Sequence, residues 1–128
     1  MRGPKPKPKQ SNGNLPKAPA DLDGDALIEW KRIIKILTPH RVLTEADLAA
    51  LYVYATSYAD YREAMRQIKE TGQVGLSQSG VPQKSPWVTA ANAAWDRIRP
   101  LLAEFGLTPS ARARLQMVEP EDSTDDFI

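Results

Sequence analysis

The chain has 128 residues, 41% of them apolar and 26% charged, which suits one globular domain with tails. It has no cysteine, which excludes disulfides, thiolate catalysis and thiolate metal sites and fits a reducing cytoplasm; no apolar run approaches the ~20 residues of a membrane span, and no apolar segment follows the basic N-terminus as a secretory signal would require. The net charge of +1 hides a segregation: residues 1–19 hold Arg2, Lys5, Lys7, Lys9 and Lys17 and no acid, residues 119–128 hold Glu119, Glu121, Asp122, Asp125 and Asp126 and no base, and the body between is nearly neutral.

Five of the eleven prolines fall in the first nineteen residues. In GPKPKPKQ, proline removes the backbone donor and restricts the residue before it, so residues 1–20 read as a basic, disordered arm of extended, polyproline-like character. Such an arm lays its lysines along phosphates without folding. The oppositely charged tails read either as sites for two different partners or as solubilising extensions that contact nothing.

Residues 21–118 read as the helical domain. A first helix is expected from about Gly24 to Leu37, with Asp21 and Asp23 as candidate caps. Leu27, Trp30, Ile34 and Leu37 form its apolar stripe, and Lys31, Arg32 and Lys35 project around the rest. With the arm cations Arg2, Lys5, Lys7, Lys9 and Lys17, these three make the candidate DNA-binding set. Thr38-Pro39 ends the helix.

A second helix begins at Thr44, where Thr44-Glu45-Ala46-Asp47 resembles a capping box, and runs to about Glu70, roughly 40 Å at 1.5 Å per residue. Leu48, Leu51, Tyr52, Ala55, Tyr58 and Ala59 form one apolar stripe; Tyr54, Tyr61, Met65 and Ile68 form a second, offset stripe. A helix with so wide an apolar arc touches two neighbours, either within its own chain or with one in another subunit. The second option makes Leu51, Tyr54, Tyr58, Tyr61, Met65 and Trp95 candidate oligomerisation residues. A base-stacking role for Tyr52, Tyr54, Tyr58 and Tyr61 is a weaker reading than packing.

Residues 71–84, TGQVGLSQSGVPQK, form either a short hairpin or a segment that orders on binding. Ser85-Pro86 opens a third helix as N-cap and first helical residue, with Val88, Ala91, Trp95, Ile98 and Leu102 on its apolar face. Its run of alanines permits close approach of another helix, and Pro100 is expected to kink or split it. In EFGLTPSARARL, Gly106 ends that helix, Thr108-Pro109 caps and starts a short C-terminal helix, and Arg112 and Arg114 flank its apolar face with no role assigned. The pattern suits a structural corner or a helix-turn-helix reader spanning 98–117, although Pro109-Ser110-Ala111 is poor material for base contacts.

EFGLTPSARARL resembles the C-terminal signature of the small subunits of phage terminases, and VPQKSPWVTAANAAWDRIRPLLAEFGLTPSARARL and GPKPKPK extend the resemblance. It implies an all-α, ring-forming oligomer of about nine subunits. It further implies a non-enzymatic protein that binds double-stranded viral DNA and regulates the nuclease and packaging ATPase of the large terminase subunit. Its place would be the host cytoplasm rather than the mature virion. The acidic segment 119–128, with Asp125 and Asp126 followed by apolar Phe127 and Ile128, then suits docking to the large subunit. The runner-up is a helix-turn-helix transcription regulator.

No catalytic set competes. His40 has no second histidine or cysteine with which to share a metal and reads as a loop residue. No phosphate-binding GxxxxGK[ST] loop is present, and Glu119 and Glu121 lie in the tail. No cofactor is implied.

Overall fold

The computed structural model describes residues 15–108. The short helix expected from Thr108-Pro109, the acidic segment 119–128 and the arm residues 1–14 lie outside the described residues.

Within them the chain forms α1 (Gly24–Leu37), α2 (Glu45–Thr71), β1 (Val74–Leu76), β2 (Pro82–Lys84) and α3 (Pro86–Glu104). The three helices begin and end where the expected signals stand. Thr44 closes a complete capping box: its hydroxyl accepts from the Asp47 amide at 3.1 Å, and the Asp47 carboxylate accepts from the Thr44 amide at 2.9 Å. The Ser85 hydroxyl accepts from the Trp87 amide at 3.1 Å, with Pro86 in the first turn. Asp23 takes the N-cap position of α1, but its side chain makes no cap hydrogen bond. Asp21 is instead the acceptor for the Tyr52 hydroxyl.

Gly106 adopts φ +73° and closes α3 in a Schellman motif: its amide reaches Ala103 O at 3.1 Å, and the Leu107 amide reaches Leu102 O at 2.8 Å. Of the two expected outcomes at Pro100, a kink or a split, the split does not occur: α3 is continuous through it. Pro100 and Asp96, whose carbonyl the proline leaves without a donor, both lie on the exposed arc where no packed neighbour is disturbed.

Residues 71–84 hold an antiparallel two-stranded hairpin, with Val74 opposite Lys84 and Leu76 opposite Pro82. Gly80 supplies the positive φ of its turn. This small sheet is an addition to the all-α architecture.

α2 is the central element and packs against both α1 and α3. Trp30, Ile33, Ile34 and Leu37 of α1 meet Leu51, Tyr54 and Ala55 of α2, with Ile98 of α3 and Phe105 just past its end closing the cluster. Full burial of each large side chain contributes roughly 1.5–3 kcal/mol. Farther along, Ala64 of α2 and Ala91 and Ala94 of α3 are buried, the close approach that the alanine run allows. Most of the double stripe on α2 is therefore covered by the chain's own helices, which is the intrachain option. A stripe records that a helix is covered and does not record whose helix covers it.

Candidate nucleic-acid interface

Residues 15–18 run back along α1, where Leu15 and Ala18 pack against the core. Together with Trp30, Lys31, Ile34 and Lys35 they line a groove of about 340 Å³ that also includes Pro16 and Lys17. Its floor is apolar because Trp30 and Ile34 belong to the core stripe of α1. Its rim is basic because Lys31 and Lys35, four residues apart, stand one above the other on the helix. All three lysines are exposed, and none forms an ion pair among the described residues. The Trp30 indole N–H is buried and lacks a hydrogen-bond partner among the described residues. Lys35 also sits in the last turn of α1, where the helix dipole favours a cation.

The candidate DNA-binding residues thus divide. The groove gathers Lys17, Lys31 and Lys35. Arg2, Lys5, Lys7 and Lys9 lie outside the described residues, but the segment that carries them joins the fold at Leu15, on this same face. Arg32 differs from the lysines: its guanidinium pairs with Glu29, with Nε donating to Oε1 at 2.8 Å and Nη2 to Oε2 at 2.6 Å, while its side chain stays 54% exposed. Glu29 is 2% exposed and also accepts from the buried Tyr54 hydroxyl. The hydrogen bond to Glu29 pushes the Arg32 pKa up, while burial pushes the Tyr54 hydroxyl up, so both remain donors. Sequence reasoning missed Glu29. The available signal was an acid on the same helical face as Ala26, Trp30 and Ile33.

The region around the start of α1, with the facing part of α2, has the opposite sign. Asp21, Asp23, Asp25 and Asp60 line a cleft with Tyr52 and Arg66. Arg66 Nη2 ties Asp25 to Glu63 at 2.9 Å each. The Asp21 bond to Tyr52 raises that phenol's pKa. A polyanion meets attraction on the lysine face and repulsion here.

The candidate oligomerisation residues divide as well. Leu51 is 0% and Tyr54 4% exposed, so both are consumed inside the chain, which corrects their assignment to an intersubunit surface. Tyr58 and Tyr61 are half-buried. Met65 at 42% and Trp95 at 41% stay open, and the rings of Trp95 and Tyr61 lie 6.0 Å apart across α2 and α3. Asp125, Asp126, Phe127, Ile128, Arg112 and Arg114 lie outside the described residues. His40 is exposed in the α1–α2 connection. Among the described residues no group of acids or histidines could hold a metal ion, and no helix is long and apolar enough to cross a membrane.

A family profile described as "Phage terminase, small subunit" matches residues 26–122. No curated protein and no solved structure matches the chain. The profile spans most of the chain, from α1 to beyond α3, and the chain belongs to the phage terminase small-subunit family.

Proposed function

We propose that the chain is the DNA-engaging, non-catalytic partner of a large terminase subunit, acting inside the host cell while viral DNA is packaged. In this reading Lys17, Lys31 and Lys35 and the arm lysines hold the phosphate backbone of double-stranded DNA without reading bases. The acidic segment 119–128 engages the large subunit, whose nuclease and packaging ATPase the small subunit regulates. Copies assemble into a closed ring, bringing several arms to one DNA and multiplying weak contacts into salt-sensitive avidity. The exposed Trp95 and Met65, with the half-buried Tyr61 beside Trp95, belong to the surface that joins neighbours.

The observation that carries the DNA reading is the convergence of three lysines, without an ion pair among the described residues, at the point where the basic arm joins the fold. The family assignment favours packaging over transcriptional control.

The test is a salt titration of DNA binding by the full chain and by a chain lacking residues 1–14. Stopping at residue 14 keeps Leu15 and Ala18 on the core. Removing four cations should lower the slope of log affinity against log salt by about 3 to 4, with assembly unchanged by native mass spectrometry. An unchanged slope removes the arm from the interface. A monomer at micromolar concentration removes the ring.

A further inference from the structure

We infer that the acidic segment 119–128 docks into the lysine-rimmed groove of α1 in its own chain, with Phe127 and Ile128 on the Trp30–Ile34 floor and Asp125 and Asp126 on Lys31 and Lys35. The groove has an apolar floor and a cationic rim. The segment pairs two adjacent acids with two adjacent apolar residues, so each part of one meets its complement in the other. The buried indole N–H without a partner belongs to the floor residue Trp30, and the segment brings carbonyl and carboxylate acceptors.

Reach supports the same occupant. The described chain leaves the fold beside the C-terminal end of α1: the Arg41 guanidinium lies 5.4 Å from the Phe105 ring centroid, and Leu107 packs on the core. Lys35 is in the last turn of that helix. From Thr108 to Phe127 is nineteen residues, which span about 45 Å even if ten of them are helical. A domain of this size has a radius of gyration of only ~13 Å. Tethering keeps the segment at millimolar effective concentration, so a weak contact suffices.

The docked segment covers Lys31 and Lys35, and its capture by another protein exposes them. That consequence, competition with DNA, rests on the DNA reading above; the docking itself does not.

Because the chain has no cysteine, disulfide trapping in the full chain has no background. Lys35→Cys with Ser123→Cys should crosslink within one chain at least ~5-fold faster than Asp60→Cys with Ser123→Cys, whose partner lies in the acidic cleft. Adding Phe127→Ser and Ile128→Ser, which keep every acid of the segment, should abolish that preference. Equal rates for the two cysteine pairs, a preference that survives the serine changes, or crosslinks joining two chains overturn the proposal. The serine variant without cysteines should bind DNA about 3- to 10-fold more tightly than the parent. Trapping as expected with unchanged DNA affinity upholds the docking and removes this face from the DNA interface.

Discussion

Three lysines that line the α1 groove and four arginines, Arg32, Arg41, Arg66 and Arg97, have sharply different surroundings. Arg32 grips Glu29, Arg66 joins Asp25 of α1 to Glu63 of α2, and Arg97 of α3 reaches Ser57 and Asp60 of α2 at 3.0 Å each. Arg41 bridges Asp47 at 3.3 Å and covers the Phe105 ring. Among the described residues Lys17, Lys31 and Lys35 form no ion pair. The planar guanidinium fork holds fixed geometry between helices, whereas the ammonium is a mobile point charge suited to a phosphate row. Formal charge alone therefore does not show which cations are already engaged within the fold. Exposed pairs such as Arg97–Asp60 contribute only about 0–1 kcal/mol each, so they set orientation more than stability.

The sharpest way to break this division is at Glu29, the most buried acid of the arginine set. Glu29→Ala leaves the Tyr54 hydroxyl buried without an acceptor and Arg32 without a counter-charge. The expected loss is about 2–3 kcal/mol in denaturant unfolding, reduced from the full cost of a broken buried pair because Arg32 is half exposed. Glu29→Met combined with Tyr54→Phe should recover most of that loss, since the double change removes donor and acceptor together. DNA affinity at fixed salt should stay within about twofold if Arg32 is structural. A rise in affinity would mean that freed Arg32 joins the lysine face.

On the lysine side the effects should invert. Lys31→Ala with Lys35→Ala removes two exposed charges that form no ion pair among the described residues, so stability should change by no more than about 0.5 kcal/mol. DNA affinity should fall about tenfold, and the salt slope should drop by about 1.8. Fluorescence anisotropy with duplexes of unrelated sequence checks both figures. A loss confined to one sequence would show base readout in place of phosphate contact.

The helix boundaries were legible because their signals are local: Thr44 with Asp47, Ser85 with Pro86 and Gly106 each complete a hydrogen bond or a turn within a few residues. The covering of α2 was less legible, because its two stripes specify two neighbours without saying which chain supplies them. Leu51 and Tyr54 consequently read as intersubunit contacts although α1 and α3 bury them. The pairing of Arg32 was hard to read for a similar reason. Its partner Glu29 is three residues away, but only tertiary burial of that carboxylate turns an ordinary helical pair into a fixed one. The groove was invisible, since residues 15–18 carry no periodic signal and their return along α1 is a tertiary event.

The smallest expected effect tests whether the arginine junction at Arg41 depends on the cap beneath it. The Thr44 amide, donating to the Asp47 carboxylate, is the main reason that group sits below the usual aspartate range, with Arg41 adding to the effect. A carboxylate depressed in the folded state contributes stability above its unfolded pKa and loses it as pH falls through the folded value. Thr44→Ala should cost about 1 kcal/mol at neutral pH by removing the hydroxyl that accepts from the Asp47 amide. Asp47→Asn probes the charge alone: its melting temperature should fall below the parent's at neutral pH, and the gap should close in acid. If thermal melts from pH 7 down to pH 2 kept a constant gap, the capping geometry rather than the ionised carboxylate would be what holds the start of α2, and Arg41 would then owe its position to Phe105.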